Sequence, residues 1–399
     1  MLANLNASSP APALSSIASK RLEAVRKRPS MYIGQLGPEG LHYCINDIVS
    51  DLLQKAVSGN CIAFVINDDF SLTIRSNAAS LSTDLDPAQG IAAATIAFTE
   101  GPGSSNNVQN DFPRAWVLNA LCQKLQLRIL ENGLVWGQDF INGGAQVNTF
   151  HCMGPQLGAG CDIRFWPDIN FFKGDGLPCP FDITRVQALF QELAYLHPGV
   201  RFSTQDDRAT ASPARKIVHF LENTFAGVLD SYAARFGTPA TDPILLEQTV
   251  KTPAGPVHVR IAFRLFNSRH HAMLTFVNNQ NTPGDHFSGT GGTHEDGFKT
   301  SVFSVLSTWQ KANKNPVDFF PIDVLEGVAA AVHVQLKHPV FEGATKTTLR
   351  NPEANNAVQA VIRHFFRKQL RENSKTSQIW FENVRRAVEI RNVAQTYDF

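Results

Sequence analysis

The 399-residue chain has 36 Lys and Arg residues against 35 Asp and Glu, and 43% of its residues are hydrophobic. This composition is ordinary for a soluble globular protein, and the formal net charge of +1 excludes a polycation of the histone type. The length favours two or three domains, and no stretch approaches the roughly 18 apolar residues that a membrane-spanning helix needs.

The cysteines are scattered along the chain, with no C-x-x-C pair and no histidine cluster at metal-ligand spacing. This pattern is typical of reduced thiols in a cytoplasmic protein, so we expect neither disulfides nor structural zinc. The residues concerned are Cys44, Cys61, Cys122, Cys152, Cys161 and Cys179.

Residues 1–20 are rich in Ala, Ser and Pro, lack the pattern of a secretion signal, and predict a flexible N-terminal arm. Residues 21–28 have helix-forming composition, and residues 38–59 carry a long apolar stripe of helical period. Asp47 and Asp51 lie on one face of this second helix because they are four positions apart.

Strands follow. Residues 61–68 and 70–76 predict one hairpin, and Asn132-Gly133 marks a second. Between them, residues 77–111 are low in charge and predict a loop over one edge of the domain, where a lid would lie. Further helices are predicted at 113–124 and 182–199, and further strands at 161–167 and 200–204.

The polar residues 204–214 predict a linker, and we place the domain boundary near residue 222. The second half begins with helix and then alternates strands and helices. Strands are predicted at 256–266, 271–279 and 328–336, and helices at 297–313 and over most of 355–396.

Eight stretches together carry a resemblance to a known family. In chain order they are LEAVRKRPSMYIG, GLHYCINDIVSDLLQKAVSGNC, NALCQKLQL, IRFWP, FVNN, GGTHEDGF, DVLEG and ATK. Their order and approximate spacing are similar to those in the B subunits of DNA gyrase and topoisomerase IV. The resemblance covers the chain apart from the first twenty residues and the last helices.

The resemblance implies an α+β fold. A GHKL (Bergerat-type) ATPase-like α/β sandwich would span residues 21–222, and a transducer domain of the ribosomal S5 type, with C-terminal helices, would span 223–399. In the family these domains dimerise through the N-terminal arm and the ATPase domain when ATP binds. A TOPRIM metal domain follows in the full subunit, and we expect none here because the chain ends where the transducer should end.

The positions that would carry ATP hydrolysis are altered. The family pattern E-V-V-D-N supplies a glutamate that activates water and an asparagine that holds Mg²⁺, and here Asp47 and Asp51 stand at those positions. Tyr43 replaces the histidine that orients the glutamate. Asp47 is one methylene shorter, which impairs a general base, whereas Asp51 could still bind Mg²⁺ as a hard oxygen ligand.

The adenine-binding pattern D-D-G-R-G-I-P aligns with SNAASLS. Ser76 replaces the aspartate that binds the adenine amino group, Ala79 replaces the arginine, and Ser80 replaces a glycine. Asn77 also lies in this former nucleotide pocket, and Cys161 stands where a threonine assists the adenine contact. A site built on such groups loses its discrimination when they are replaced.

The phosphate-wrapping lid G-x-x-G-x-G should precede NALCQKL, yet residues 106–130 contain no glycine and Pro113 has no backbone N–H. We therefore expect no phosphate cradle there. Trp116 and Phe112 either fill the volume that ATP would occupy or line a pocket for a more apolar ligand, with Tyr43 and the two aspartates as its polar wall.

Two further interpretations stay open. On the residues alone, Asp47 and Asp51 form a solvated helix face; on the resemblance they are a remnant acidic pocket. The family's Q-T-K loop reads Ala344-Thr345-Lys346, so the lysine that reaches the γ-phosphate is retained, although it could equally be an exposed loop lysine.

Our leading hypothesis is a gyrase-B-like pseudoenzyme: a dimeric scaffold or modulator that acts through protein contacts in the cytoplasm. It would need no cofactor, with ATP and Mg²⁺ relevant only if the altered site still binds them. Its partner would be a second copy, or an authentic gyrase or topoisomerase IV subunit; the charge neither requires nor excludes DNA, and no membrane is involved.

Two alternatives remain. One is a divergent Mg²⁺-dependent ATPase of a type II topoisomerase-like system, with Asp47 as base, Asp51 on Mg²⁺ and Lys346 on the γ-phosphate. The other is a repurposed pocket that binds or transforms another small molecule.

Overall fold

The computed structural model divides the chain into two compact units, Met1–Asn223 and Thr224–Phe399. The residues it describes are 14–78, 81–87, 89–101, 112–172, 181–208, 218–222, 224–230, 235–284, 290–312, 317–343, 346–371 and 375–397. Among these residues, no helix combines the length and the apolar character needed to cross a membrane.

The first unit is a mixed sheet with helices packed on one face. The helices described are α1 (Ser16–Lys27), α2 (Ser30–Ile33), α3 (Pro38–Leu53), α4 (Ala93–Thr99), α5 (Ala115–Ala120), α6 (Ile169–Phe172) and α7 (Ile183–Leu196). The strands are β1 (Cys61–Ile66), β2 (Leu72–Ser76), β3 (Cys122–Glu131), β4 (Leu134–Ile141), β5 (Ala145–Gln146), β6 (His151–Pro155), β7 (Gly160–Pro167), β8 (Arg201–Asp206) and β9 (Val218–Phe220).

The strand order is β5-β4-β3-β7-β2-β1-β8-β9, with β6 also paired to β4. Alternate side chains of β3 point to opposite faces, so Leu125, Leu127 and Ile129 are buried while Gln126 and Arg128 are only half-buried. These buried side chains face the layer of helices, in which α3 and α5 contact each other.

The predicted hairpins are confirmed. β1 pairs antiparallel with β2, and β3 pairs antiparallel with β4. Asn132 and Gly133 have φ angles of 55° and 75°. A two-residue turn with both φ angles positive matches the right-handed twist of the strands, and Asn-Gly is the dipeptide that adopts it most readily.

The flexible arm predicted over residues 1–20 is wrong for residues 16–20, because α1 begins at Ser16, where Ser15 Oγ accepts a hydrogen bond from Ala18 N (3.0 Å) and caps the helix.

Three further predicted helical or loop boundaries are wrong. Helix α3 ends at Leu53 rather than residue 59, because Asn60 Oδ1 accepts a hydrogen bond from Val57 N (2.8 Å) and holds a turn. Residues 77–111 contain the helix α4, whose seven residues are all buried and therefore show no amphipathic period. The helix predicted at 113–124 stops at Ala120, and β3 begins at Cys122.

The second unit is a five-stranded sheet, in the order β10-β11-β14-β12-β13, beside a small hairpin of β15 and β16. Its strands are β10 (Ile244–Thr252), β11 (Gly255–Leu265), β12 (Ala272–Val277), β13 (Gln280–Asn281), β14 (Val328–Gln335), β15 (Phe341–Glu342) and β16 (Thr348–Leu349). Its α-helices, as described, are α8 (Thr293–Ala312), α9 (Pro352–Arg371) and α10 (Lys375–Tyr397).

Two 3-10 helices, Phe225–Leu229 and Asp323–Leu325, complete the described elements of this unit. The first of them starts the unit, where we predicted helix, and packs on the sheet strands β11 and β14. β10 was not predicted, because its sequence ILLEQTVKT mixes apolar and polar residues without strict alternation.

Trp380 on α10 lies at the centre of the second unit's core. It is fully buried, and its Nε1–H donates to Val324 O (2.8 Å). Its ring centroid lies 5.1 Å from that of Phe263 and 5.4 Å from that of Phe366. One side chain therefore joins α10 to β11 and α9.

We predict that Trp380→Ala lowers the free energy of unfolding of the second unit by about 3–5 kcal/mol, because it leaves a large cavity and an unpaired carbonyl. The control is Ile322→Ala, whose side chain is 59% exposed and should change stability by no more than about 0.5 kcal/mol. Urea unfolding, monitored by circular dichroism, measures the free energy of unfolding of both variants. Equal losses of stability in the two variants would show that Trp380 is not central to the core.

Candidate functional site

Helix α3 carries Asp47 and Asp51 into the interior of the first unit. The two residues are 6% and 8% exposed, so they do not form a solvated helix face, and that alternative is wrong. Asp51 Oδ1 lies 3.4 Å from Gln54 Nε2, one turn further along the chain. A buried carboxylate is costly unless it is paired or hydrogen-bonded, so each needs local compensation.

Arg114, just before α5, supplies that compensation for Asp47. Its Nε lies 2.5 Å from Asp47 Oδ2, and the two side chains are 27% and 8% exposed. The same guanidinium donates to the carbonyl of Tyr32 and lies 5.4 Å from the ring centroid of Tyr43. The start of α5 is thus tied to α2 and α3 through one side chain.

The electrostatics of this cluster follow from burial. Burial opposes the charge on Arg114, yet the neighbouring Asp47 raises the arginine's pKa above its ordinary value, so the guanidinium stays charged. Burial, together with the charge of Asp47, raises the pKa values of the Tyr43 phenol and the Cys44 thiol above their ordinary ranges. Tyr43 and Cys44 are therefore neutral neighbours of one ion pair.

The residues around Arg114 are held by close packing. Phe112 is fully buried, and Trp116 Nε1 donates to Pro113 O (3.0 Å). The Trp116 ring meets Tyr32 edge-on, with centroids 5.6 Å apart. Trp116 packs against the backbone of Gly101. The φ angle of Gly101 is 70°, and a Cβ atom at this position would collide with the indole ring.

The positions assigned to adenine recognition lie side by side. Ser76 on β2 and Cys161 on β7 are direct register partners, and both are buried. Ser76 Oγ accepts a hydrogen bond from Ala78 N (3.1 Å), so the hydroxyl is engaged by its own turn. Asn77 is exposed, and its Oδ1 accepts from Cys61 N (2.6 Å), which anchors the start of β1.

Lys346 lies in the second unit, between β15 and β16, and is half-buried with a φ angle of 55°. A left-handed conformation is uncommon for lysine and marks local strain. Several other positions named from the sequence lie outside the described residues: 1–13 of the predicted arm, Ala79, Ser80, Cys179, Ala344 and Thr345. Within the described ranges, no three His, Cys, Asp or Glu side chains cluster as a metal site.

Arg114 is the functional residue that sequence reasoning missed. A signal for it existed, because Arg114 is the only basic residue between Arg75 and Lys124. Any buried carboxylate that packs against this segment has no other basic side chain there with which to pair. Its partner, Asp47, could not be named without the fold.

Comparison with known proteins adds to this geometry. A family model described as DNA gyrase B matches residues 224–398. The B subunit of DNA gyrase from Streptococcus pyogenes serotype M1 is 30% identical over 89% of this chain and 54% of its own length. That of Haloferax lucentense is 28% identical over 94% of this chain and 58% of its own length.

A solved structure of the 43K ATPase domain of Thermus thermophilus gyrase B, in complex with an aminocoumarin, is 28% identical and superposes with a TM-score of 0.72. The alignment covers 96% of this chain and 99% of that one. The chain is therefore similar to DNA gyrase B proteins through most of its length. The resemblance to this family and the α+β fold class, both inferred from the sequence, are thereby confirmed.

The chain spans only about half the length of the gyrase B relatives that it matches. The similarity extends through both units, since the Thermus thermophilus domain covers nearly all of the chain. Within this fold, the Asp47–Arg114 ion pair is the central electrostatic contact of the site described above.

We predict that Arg114→Ala destabilises the first unit by about 3 kcal/mol, because it leaves Asp47 buried without its cation. Adding Asp47→Asn to Arg114→Ala should recover part of this loss, since position 47 then carries no uncompensated charge. The measurement is urea unfolding of the two variants and the wild type.

The matched control is Arg185→Ala. Arg185 pairs with Glu39 at 3.1 Å, but the side chains are 49% and 48% exposed, so its loss should cost at most about 1 kcal/mol. If Arg114→Ala is no more harmful than Arg185→Ala, the buried pair is not a stabilising contact.

Proposed function

We propose that this chain is a gyrase-B-like pseudoenzyme, which retains the ATPase-like fold without competent ATP hydrolysis and acts as a dimeric scaffold or modulator through protein contacts. The observation that carries the proposal is the Asp47–Arg114 ion pair, because Asp47 is the carboxylate that we assigned to water activation and Arg114 engages one of its oxygens.

A general base must hold a free carboxylate oxygen within about 2.6–3.2 Å of the water that it activates. Asp47 Oδ2 instead lies 2.5 Å from Arg114 Nε, and the shorter aspartate side chain reaches less far than glutamate. To act as a base it would have to leave the arginine uncompensated in a largely buried place. Both the reach and the pairing oppose catalysis.

The positions assigned to the adenine argue in the same direction. An adenine amino group needs a hydrogen-bond acceptor, and a carboxylate is a better acceptor than a hydroxyl already bonded to Ala78 N. Cys161, its register neighbour, offers only a weakly polar thiol. The replaced groups therefore support loss of nucleotide discrimination.

The proposed partners rest on the similarity to gyrase B proteins. We propose a homodimer, or a mixed assembly with an authentic gyrase or topoisomerase IV subunit, acting in the cytoplasm. DNA remains a possible ligand of such an assembly, since the overall charge balance does not oppose it.

A divergent Mg²⁺-dependent ATPase is the second candidate. Two observations favour it. The buried Asp51 carboxylate, one turn from Asp47, offers oxygen atoms of the kind that bind Mg²⁺, and the chain retains Lys346, which has a strained backbone conformation. In this version an incoming phosphate would take Arg114 from Asp47 and free the base.

Phosphate release from Mg²⁺-ATP separates the two candidates. We predict that the wild type and Asp47→Ala release phosphate at the same background rate, because Asp47 activates no water. A wild-type rate above background that Asp47→Ala removes would replace our proposal by the ATPase. An authentic gyrase B fragment is the positive control.

Assembly is tested by size-exclusion chromatography with light scattering, on the protein alone and mixed with an authentic gyrase B protein. We expect a mass of two chains, or co-elution with the added protein. A monomer that remains separate from that protein at every concentration would refute the proposed assembly.

A further inference from the structure

A polar row crosses the second face of the sheet in the second unit, opposite the main hydrophobic core. Glu247 on β10, Arg260 on β11 and His333 on β14 are successive register partners. Arg260 is 8% exposed and His333 is 1% exposed. A cation and a titratable ring therefore lie in contact inside the second unit.

The hydrogen bonds fix the protonation state of His333. Arg260 donates from Nη2 (2.7 Å) and Nε (3.1 Å) to His333 Nδ1. Arginine can only donate, so Nδ1 must be the unprotonated acceptor. The other nitrogen, Nε2, then carries the hydrogen and donates to Asn278 O (2.8 Å). The ring is neutral, and both of its nitrogens are engaged.

The first segment of the second unit rests on this pair. Phe225, which begins the 3-10 helix Phe225–Leu229, is 2% exposed. Its ring centroid lies 5.0 Å from Arg260 Cζ and 6.1 Å from the ring centroid of His333. The position of Phe225 therefore depends on the guanidinium staying against the imidazole.

We propose that Arg260 and His333 form an acid-sensitive latch that holds residues 224–229 on the sheet. A proton on His333 Nδ1 would remove the acceptor that Arg260 uses and would place two cations in contact. The hydrogen bond from Nε2 to Asn278 O would persist, because the imidazolium still donates there. Acid would thus loosen the packing of residues 224–229 on the sheet and leave the β12–β13 turn in place.

The other described charged and titratable groups packed nearby do not offset such a proton. Glu247 is the cross-strand partner of Arg260, but it is half-exposed and bonded to His258 Nε2 (3.1 Å). Asp230, which follows the 3-10 helix, pairs with Arg264 (3.0 Å). Toward β12, the register partner of His333 is the apolar Phe276.

Burial disfavours positive charge at this position. It lowers the pKa of Arg260, although the negative charge of Glu247 acts to raise that pKa. Opening would let water hydrate a protonated imidazole, so the open state binds a proton more readily than the closed state. Opening is then promoted as the pH falls. Uptake of one proton shifts the opening equilibrium by at most about tenfold for each pH unit.

The test is hydrogen exchange of the full chain at about pH 7.5 and pH 5.5, with exchange times scaled for the intrinsic pH dependence. We expect the protection of residues 224–229 to fall about tenfold at the lower pH, whereas residues 278–281 keep theirs. This contrast needs no variant, so it cannot be lost to misfolding.

Two variants sharpen the result. In His333→Gln, the amide can accept from Arg260 and donate to Asn278 O but does not titrate, so the pH response at 224–229 should disappear. His338→Gln, at an exposed position, should respond like the wild type. Unchanged protection at 224–229 in the wild type, or the same response in His333→Gln, would overturn the latch.

Discussion

The burial of a carboxylate on α3 is the constraint on which the first unit depends. A helix that packs its apolar stripe against the sheet also carries Asp47 inside, and an isolated charge there would cost several kcal/mol. Arg114 meets that demand from the segment before α5. Because one oxygen of Asp47 is committed to this arginine, the chemistry of the site follows from the way the fold is stabilised.

The same contact organises the start of α5. Arg114 also donates to the Tyr32 carbonyl, and Trp116 packs against Tyr32 and the backbone of Gly101. Residues 112–116, which include the described residues just before α5, are therefore held by side-chain contacts within the unit.

Much of the fold was predictable because its signals are local. The Asn132-Gly133 turn and the alternation in the flanking strands specify a hairpin without any tertiary information. Helix α4 was missed because a helix buried on all sides has no amphipathic period. The Asp47–Arg114 contact could not be read either, since it joins residues far apart in sequence that only the packing of α3 and α5 brings together.

Isothermal titration with a non-hydrolysable ATP analogue and Mg²⁺, beside an authentic gyrase B fragment, tests the central claim most directly. Because Asp47 is paired with Arg114 and the Ser76 hydroxyl is already hydrogen-bonded, we predict no heat of binding at analogue concentrations up to about 1 mM. Any binding would then have a dissociation constant above about 1 mM, which corresponds to less than about 4 kcal/mol of binding free energy. Micromolar binding would contradict the account, because the nucleotide would then have displaced Arg114 from the carboxylate.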